Sequence, residues 1–268
     1  MDMREARAMT KALRSTAGTA PEGLAEAVLT GVGLVDSWTE IDGPIGPLYV
    51  AWSATTGITA AERAGDPDGF ETEYEMRHGR SVRRVPEMPA ALLSQIHQRF
   101  EGQATTGPQL DLDTLTEFER AVLLKTMEIP YGEVRPYSWV AREIGRPKAV
   151  RAVGSALAGN PITFVIPCHR VVRADGHIGD YGAGGPEAKR EVLELEGVDT
   201  VELERMAGGG VRYTGSDSTR IYCYPSCRHA RRTGAEHEVR FRSAQEARAA
   251  GYRPCKVCRP LEGTPFAA

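Results

Sequence analysis

The sequence predicts an α+β protein in three parts: an N-terminal αβ domain, a helical domain built round a helix-turn-helix, and a small cysteine-bearing C-terminal module. Three observations predict it. Two strand-like runs fall close together in residues 46–64, GPLYVAWSATTGITAAERA. Capped helical patterns dominate the chain beyond them. Four of the five cysteines then form two close pairs near the C-terminus, Cys223/Cys227 and Cys255/Cys258. At 268 residues the chain is long enough for two domains and a small third.

Residues 1–36 read as a helical extension without chemistry-bearing residues, and 37–108 as the αβ domain. There, two apolar runs flank Thr55-Thr56-Gly57, a hairpin signal because glycine accepts the backbone angles of a tight turn. Helical patterns follow at 68–78 and 87–101, and the polar stretch ATTGPQLDLD marks the boundary to a second domain, 109–206.

The first helix of that domain opens with Thr116-Glu117-Phe118-Glu119, a capping box in which the end residues satisfy each other's backbone N–H groups. Phe118, Ala121 and Val122 share its apolar face, and Pro130-Tyr131-Gly132 ends it. A short helix, 138–144, stops at Gly145; Pro147 begins another, 147–158, closed by Gly159-Asn160-Pro161. Two helices joined by Gly145-Arg146 have the form of a helix-turn-helix. The second carries Ala149, Ala152, Gly154, Ser155, Ala156 and Ala158, with Lys148 and Arg151 as its cations. Small side chains let a backbone approach a partner closely and cations suit phosphate, although packing on a neighbouring helix explains the small residues equally well.

Ile162 to Ile166 reads as a buried strand that delivers Pro167-Cys168-His169-Arg170. After the glycine-rich loop 179–185, Pro186 starts a helix ending at Gly197, with Ala188, Val192, Leu193 and Leu195 as its apolar arc. At roughly 100° per residue Glu196 falls inside that arc, and a carboxylate pointing inward needs a partner. Glycines 208–210 read as flexible, within a linker 207–216 to the tail, 217–268.

With 41% hydrophobic and 26% charged residues, no stretch reaches the ~18 apolar residues of a membrane span. The N-terminus carries charges throughout and no apolar signal core, so a cytoplasmic protein is expected. Reduced thiols there turn the four paired cysteines away from two disulfides and toward tetrahedral zinc. The tail is net basic on an otherwise acidic chain, which suits either a polyanion or a solvated face.

Cys168 stands apart from those pairs. A buried thiol with a pKa of ~8.5 is mostly protonated at neutral pH, and a base with a polarising neighbour changes this. His169 is adjacent, but successive residues on a strand point apart, so it reaches Cys168 only through a turn or a bridging water. Glu196 is a candidate to orient the imidazole. A satisfied core cysteine and histidine is the competing reading.

Residues ~113–197 resemble the O6-alkylguanine-DNA alkyltransferase family. The resemblance rests on Ile129-Pro130-Tyr131-Gly132-Glu133, Pro147-Lys148-Ala149-Val150-Arg151-Ala152-Val153-Gly154, Gly159-Asn160-Pro161 and Ile166-Pro167-Cys168-His169-Arg170-Val171-Val172, in order and at family spacing. Residues 40–108 look like that family's more variable N-terminal αβ domain.

The resemblance implies single-use transfer of an alkyl group from guanine O6 in double-stranded DNA to Cys168. His169 would take the thiol proton through a water, with Glu196 holding the imidazole and Asn160 bracing the network. It implies that the helix with Lys148, Ala152 and Gly154 enters the minor groove, that Arg151 fills the gap left by the flipped guanine, and that Tyr137 crowds the flanking phosphate and donates to guanine N3. Val171, Tyr181, Gly182 and Lys189 would form the substrate pocket, Lys189 supporting Tyr137 and the loop. Tyr181-Gly182-Ala183-Gly184-Gly185 departs from the family, being one residue longer and lacking a hydroxyl after the tyrosine.

The tail's Cys223-Tyr224-Pro225-Ser226-Cys227-Arg228 and Gly251-Tyr252-Arg253-Pro254-Cys255-Lys256-Val257-Cys258 resemble the zinc domain of the bacterial adaptive-response methyltransferase Ada. This implies zinc on Cys223, Cys227, Cys255 and Cys258, with Cys223 as a second methyl acceptor from phosphotriesters. Tyr224 replaces the family's arginine. A structural or DNA-docking zinc module is the alternative for the tail, and a methylation sensor that regulates transcription is the alternative for the chain. No small-molecule cofactor and no membrane are expected. Alkyltransferase-like lesion binders are opposed by the presence of Cys168.

Overall fold

The Thr55-Thr56-Gly57 signal is met by a hairpin, but within a larger sheet. A computed structural model describes residues 24–103 and 107–260; the helices expected before residue 24 lie outside the described residues. Helix α1 (Leu24–Gly31) leads into β1 (Val35–Gly43), β2 (Gly46–Ser53) and β3 (Gly57–Arg63), then α2 (Pro67–His78) and β4 (Ser81–Arg84). The order is β3-β2-β1-β4, with β4 parallel to β1 and the other pairings antiparallel.

The first strand corrects the sequence reading, because Val35 and Asp36 lie inside the predicted extension 1–36. Asp36, Ser37 and Thr39 are buried polar residues, so β1 never shows an apolar run. The Asp36 carboxylate accepts from Tyr74 Oη at 2.5 Å and pairs with Arg80 at 3.1 Å. Such pairing is what makes buried polar groups tolerable.

Alternation divides the sheet. Trp38 and Tyr49 gather with Phe70, Tyr74 and Val82 under α2, where Trp38 meets Phe70 edge-on at 5.1 Å. Leu48, Val50, Trp52, Ile58 and Ala61 face the main core shared with the rest of the chain. Edge strand β3 is covered by backbone bonds: Ile58 N donates to Gln109 O, Ala61 N to Pro161 O, and Thr163 N to Ala61 O, at 2.8–2.9 Å. An edge so occupied cannot recruit another strand.

The helical domain follows. Helix α3 (Ala90–Phe100) leads to α4 (Glu117–Met127), whose Thr116/Glu119 capping box is present. A short β5 (Arg135–Pro136) runs into α5 (Tyr137–Glu143), and α6 (Val150–Ala158) completes the helix-turn-helix. Two boundaries move. Helix α6 starts at Val150 rather than Pro147, and the connection is longer than Gly145-Arg146, with Gly145 at φ 73 making the turn.

Ile162–Ile166 is a turn rather than a strand. Ile166 N bonds back to Ile162 O at 3.0 Å and Phe164 takes φ 67, while the segment is nearly all buried. An apolar run signals burial, and burial can be met by a turn plugged into the core. The chain continues through β6 (Val171–Val172), parallel to β5, and α7 (Gly185–Leu195).

A further helix, α8 (Thr200–Gly208), escaped the sequence reading although Asp199 caps it, accepting from Glu202 N at 2.8 Å. The expected flexible linker 207–216 is ordered structure. Gly208 ends α8, Gly209 and Gly210 form its stop, and Tyr213–Ser216 is strand β7. With β8 (Ile221–Cys223), β9 (Glu238–Phe241), helix α9 (Ala244–Ala249) and β10 (Arg253–Pro254) it builds a sheet of order β10-β8-β7-β9. Gly215 serves close approach rather than freedom, since a Cβ there would sit 2.9 Å from Phe241 and Tyr252.

The tail is docked on the helical domain. Trp139 Nε1 donates to Cys258 O at 3.1 Å, Arg142 to the carbonyls of Arg259 and Pro260, and Val134 N to Ser226 Oγ at 2.9 Å. Buried Arg135 lies 5.5 Å from the Tyr224 ring and 5.9 Å from that of Trp139.

Candidate active site and metal centre

Cys168, His169 and Arg170 form a short 3-10 turn and are all buried. Pro167 (φ -81, ψ 62) makes an inverse γ-turn, with Cys168 N on Ile166 O at 2.8 Å. This geometry lets neighbouring side chains point inward together, which an extended strand forbids.

Asn160, just past the end of α6, donates Nδ2 to Cys168 Sγ at 3.2 Å and to Ile166 O at 3.1 Å, while its Oδ1 accepts from Ile162 N at 3.1 Å. Burial pushes the Cys168 thiol up; the Asn160 bond and the Lys189 charge pull the other way. Lys189 is itself fully buried on α7, donating to Val171 O at 2.7 Å and Asp180 O at 3.2 Å, with its ammonium 6.0 Å from the Tyr137 ring. Burial lowers it to about 8.

His169 Nε2 meets Glu196 Oε1 at 2.8 Å. Burial opposes ionisation of Glu196, but His169 and Arg170 outweigh it and hold the carboxyl down to about 2. Arg170 is the residue the sequence reading missed. Its Nε and Nη2 fork onto Glu196 at 2.8–3.1 Å and its Nη1 donates to Ile129 O at 2.8 Å. Gly132 N completes the shell on Glu196 Oε2 at 3.1 Å. The signal was present in the same Cys-His-Arg run, since a buried arginine needs a carboxylate.

An ionised Glu196 only accepts, so His169 donates Nε2–H to it and the neutral imidazole keeps its free lone pair on Nδ1. Burial lowers the imidazole, favouring that neutral form. Nδ1 is buried with no hydrogen-bond partner among the described residues. A buried acceptor so placed calls for water.

Tyr181 is buried and edge-on to His169 at 6.2 Å, with its hydroxyl turned toward the Cys168 thiol. Burial, then the Cys168 thiol, push that hydroxyl well up. Val171 is fully buried and Gly182 exposed, its Cβ position 3.5 Å from Ala158 O. Tyr137 is half-buried; burial raises its hydroxyl, with Cys168 and Asp180 adding. Lys148, Arg151 and Ala152 are exposed, and neither cation forms an ion pair among the described residues. Gly154 is half-buried, its Cβ position 4.0 Å from Tyr137 Cε1. These residues lie outside the cluster of Cys168, Asn160, His169 and Glu196.

The second centre is made by Cys223 at the end of β8, Cys227 in the following turn, and Cys255 and Cys258 after β10. Their sulfurs all lie within 4.8 Å of one another, and all four residues are buried. Four thiolates cannot coexist at such distances without a cation, and sulfur donors of this number suit zinc.

A buried thiol held by Asn160, next in sequence to a His169–Glu196 pair and joined to a helix-turn-helix and a four-cysteine centre, defines a thiol-bearing enzyme with a metal-binding appendage. Residues 117–198 match the family described as 6-O-methylguanine DNA methyltransferase, DNA binding domain, and residues 205–261 the metal binding domain of Ada. A methylated-DNA–protein-cysteine methyltransferase of Mycobacterium bovis is 38% identical over 58% of this chain and 89% of its own length. One of Methanosarcina acetivorans is 35% identical over 58% of this chain and 95% of its own. A Mycobacterium tuberculosis OGT solved in complex with DNA is 34% identical, with a TM-score of 0.50 over 63% of this chain and 99% of that one. The chain belongs to the methylated-DNA–protein-cysteine methyltransferase family and carries an Ada-type metal-binding domain at its C-terminal end.

Proposed function

We propose that this protein repairs DNA by moving one alkyl group from O6 of guanine in duplex DNA to Cys168. The observation that carries this reading is the Asn160–Cys168 bond set beside the His169–Glu196 pair. Sγ attacks the alkyl carbon; the carbon–O6 bond breaks with its electron pair on O6, and a thioether forms. The thiol proton leaves toward His169 Nδ1 through a water and the guanine regains one proton, so the transfer is proton-neutral. Asn160 and the Lys189 charge stabilise the thiolate, and Tyr137 donates to guanine N3. Because the thioether is stable, each molecule acts once.

Duplex DNA is the partner. The exposed cations Lys148 and Arg151 with the small residues Ala152 and Gly154 suit a helix lying in the minor groove, Arg151 filling the gap of the extruded base. Tyr181, Gly182, Val171 and Lys189 shape the alkyl pocket. No described helix is long and apolar enough to cross a membrane, and we place the activity in the cytoplasm. The transcriptional-sensor alternative is not favoured by methyltransferase relatives covered over most of their length.

The four cysteines would hold zinc, which keeps thiolates ionised at neutral pH. Cys223 then acts as a second acceptor, for methyl on a DNA phosphotriester. It lines an open cleft with Arg232, Arg253 and Lys256, cations suited to phosphate, and with the hydroxyls of Thr219 and Thr233. Intact mass and peptide mapping after incubation with O6-methylguanine duplex test the main reading: one methyl on Cys168 is expected, and transfer by Cys168→Ala overturns it. Duplex bearing a methylphosphotriester tests Cys223 separately; an unmodified Cys223 in zinc-loaded, Cys168-competent protein leaves the tail a structural or docking module.

A further inference from the structure

Residues 132–135 touch both thiol centres. On one side, Gly132 N donates to Glu196 Oε2 at 3.1 Å. On the other, Glu133 Oε1 accepts from Arg228 N at 3.0 Å, and Val134 exchanges bonds with Ser226 Oγ at 2.9 and 3.3 Å. Ser226 and Arg228 flank Cys227. Glu133 also pairs with Arg135, and both are almost fully buried, 1% and 2% exposed. The Arg231 guanidinium lies 3.5 Å from where a Cβ on Gly132 would stand. Nothing in the proposed alkyl transfer uses the contacts of Glu133, Val134 and Arg135.

The geometry points to Glu133 as a positioning residue that ties the Cys223–Arg228 turn to the Glu196–His169 pair, so that order at the metal centre sets the reactivity of Cys168. One carboxylate, backed by Arg135, fixes the turn that presents Cys227. The peptide immediately before it fixes the carboxylate that orients the catalytic imidazole. Displacing the turn therefore moves 132–134 and loosens Gly132 on Glu196. Coupling free energies are reciprocal, so occupancy of Cys168 must also alter metal affinity.

This inference rests on Cys168 as acceptor and the four thiols as a zinc set. Both are checked first in the wild type, by one methyl on Cys168 and one zinc per chain, so that failure there is a separate result. The experiment then measures, in full-length protein, zinc transfer to a chromophoric chelator and single-turnover methyl transfer to Cys168. Glu133→Gln is the first variant, retaining an acceptor for Arg228 N but losing the charge opposite Arg135. Ser226→Ala is the second, untouched by the risk of stranding a buried arginine. Coupling of contacting groups predicts ~3–30-fold faster zinc loss and slower transfer together in both variants. Alkylating Cys168 of the wild type with O6-benzylguanine should change the zinc affinity as well. Wild-type transfer rates in both variants, with faster zinc loss, would show two independent centres and overturn the coupling. So would a zinc affinity indifferent to alkylation.

Discussion

Asn160 grips Cys168 and its own loop at once, with Nδ2 on Sγ at 3.2 Å and Oδ1 accepting from Ile162 N at 3.1 Å. The sulfur thus receives a fixed donor, and the loop carrying it is locked to β3 through Thr163 N on Ala61 O at 2.8 Å.

Asn160→Ala should slow transfer at pH 7 by ~10–100-fold, the worth of a hydrogen bond to a charged group. Burial already holds the thiol up and the Asn160 bond partly offsets it. Its loss raises the thiol further, so the midpoint of the pH–rate profile must move to higher pH. Single-turnover rates across pH check this; a slower reaction with an unmoved midpoint would assign Asn160 to loop geometry alone.

Glu196→Gln should lower the transfer rate by ~10²–10⁴-fold while duplex affinity changes little, as expected for a proton relay. The carboxyl also contributes stability with a defined sign. Its folded pKa is depressed to about 2 from 4.5. The stabilisation is therefore fully present above ~4.5 and is lost as pH falls toward 2, about 3 kcal/mol in all. Urea unfolding of both proteins from pH 7 to pH 3 should show the gap between them narrowing with acid. A constant gap would mean that packing, not charge, makes the difference.

The sequence showed most of this site and less of its surroundings. Caps, glycines and a proline place the helices between Thr116 and Gly197, and the family resemblance points to Cys168, His169 and Asn160. Glu196 is legible as an inward carboxylate, but its clamp by Arg170 and Gly132 is not, because those partners meet only through the fold. Strand β1 was hidden by its buried Asp36, Ser37 and Thr39, and the partners of Asp36 and Thr39, namely Tyr74, Arg80 and Pro86, lie far along the chain. Gly208, Gly209 and Gly210 read as freedom, whereas two of them stop a helix and pack β7 close behind it. Composition cannot separate a glycine that bends from one that yields space.

Arg151→Ala should slow repair of O6-methylguanine duplex far more than reaction with free O6-benzylguanine, because only the duplex requires extrusion of the base. The side chain is exposed on α6, so its removal leaves the core intact. Benzylguanine must first be shown to react with the wild type, given the longer loop at 181–185. Equal losses on both substrates would make Arg151 a support of the fold.

Metal removal has its own reporter. Trp139 Nε1 donates to the carbonyl of Cys258, and the rings of Trp139 and Tyr224 flank buried Arg135. Four short strands with one helix cannot bury enough apolar surface to stand without the metal. Stripping zinc should therefore free the Cys255–Cys258 turn, expose the Trp139 indole to water and shift its emission to the red. The other tryptophans, Trp38 and Trp52, sit in the N-terminal sheet, so Trp139→Phe should abolish the shift, and Cys255→Ser should reproduce it without a chelator. A chelated protein that releases one zinc yet keeps wild-type emission would show that the thiol sheet holds itself against α5 by its own packing.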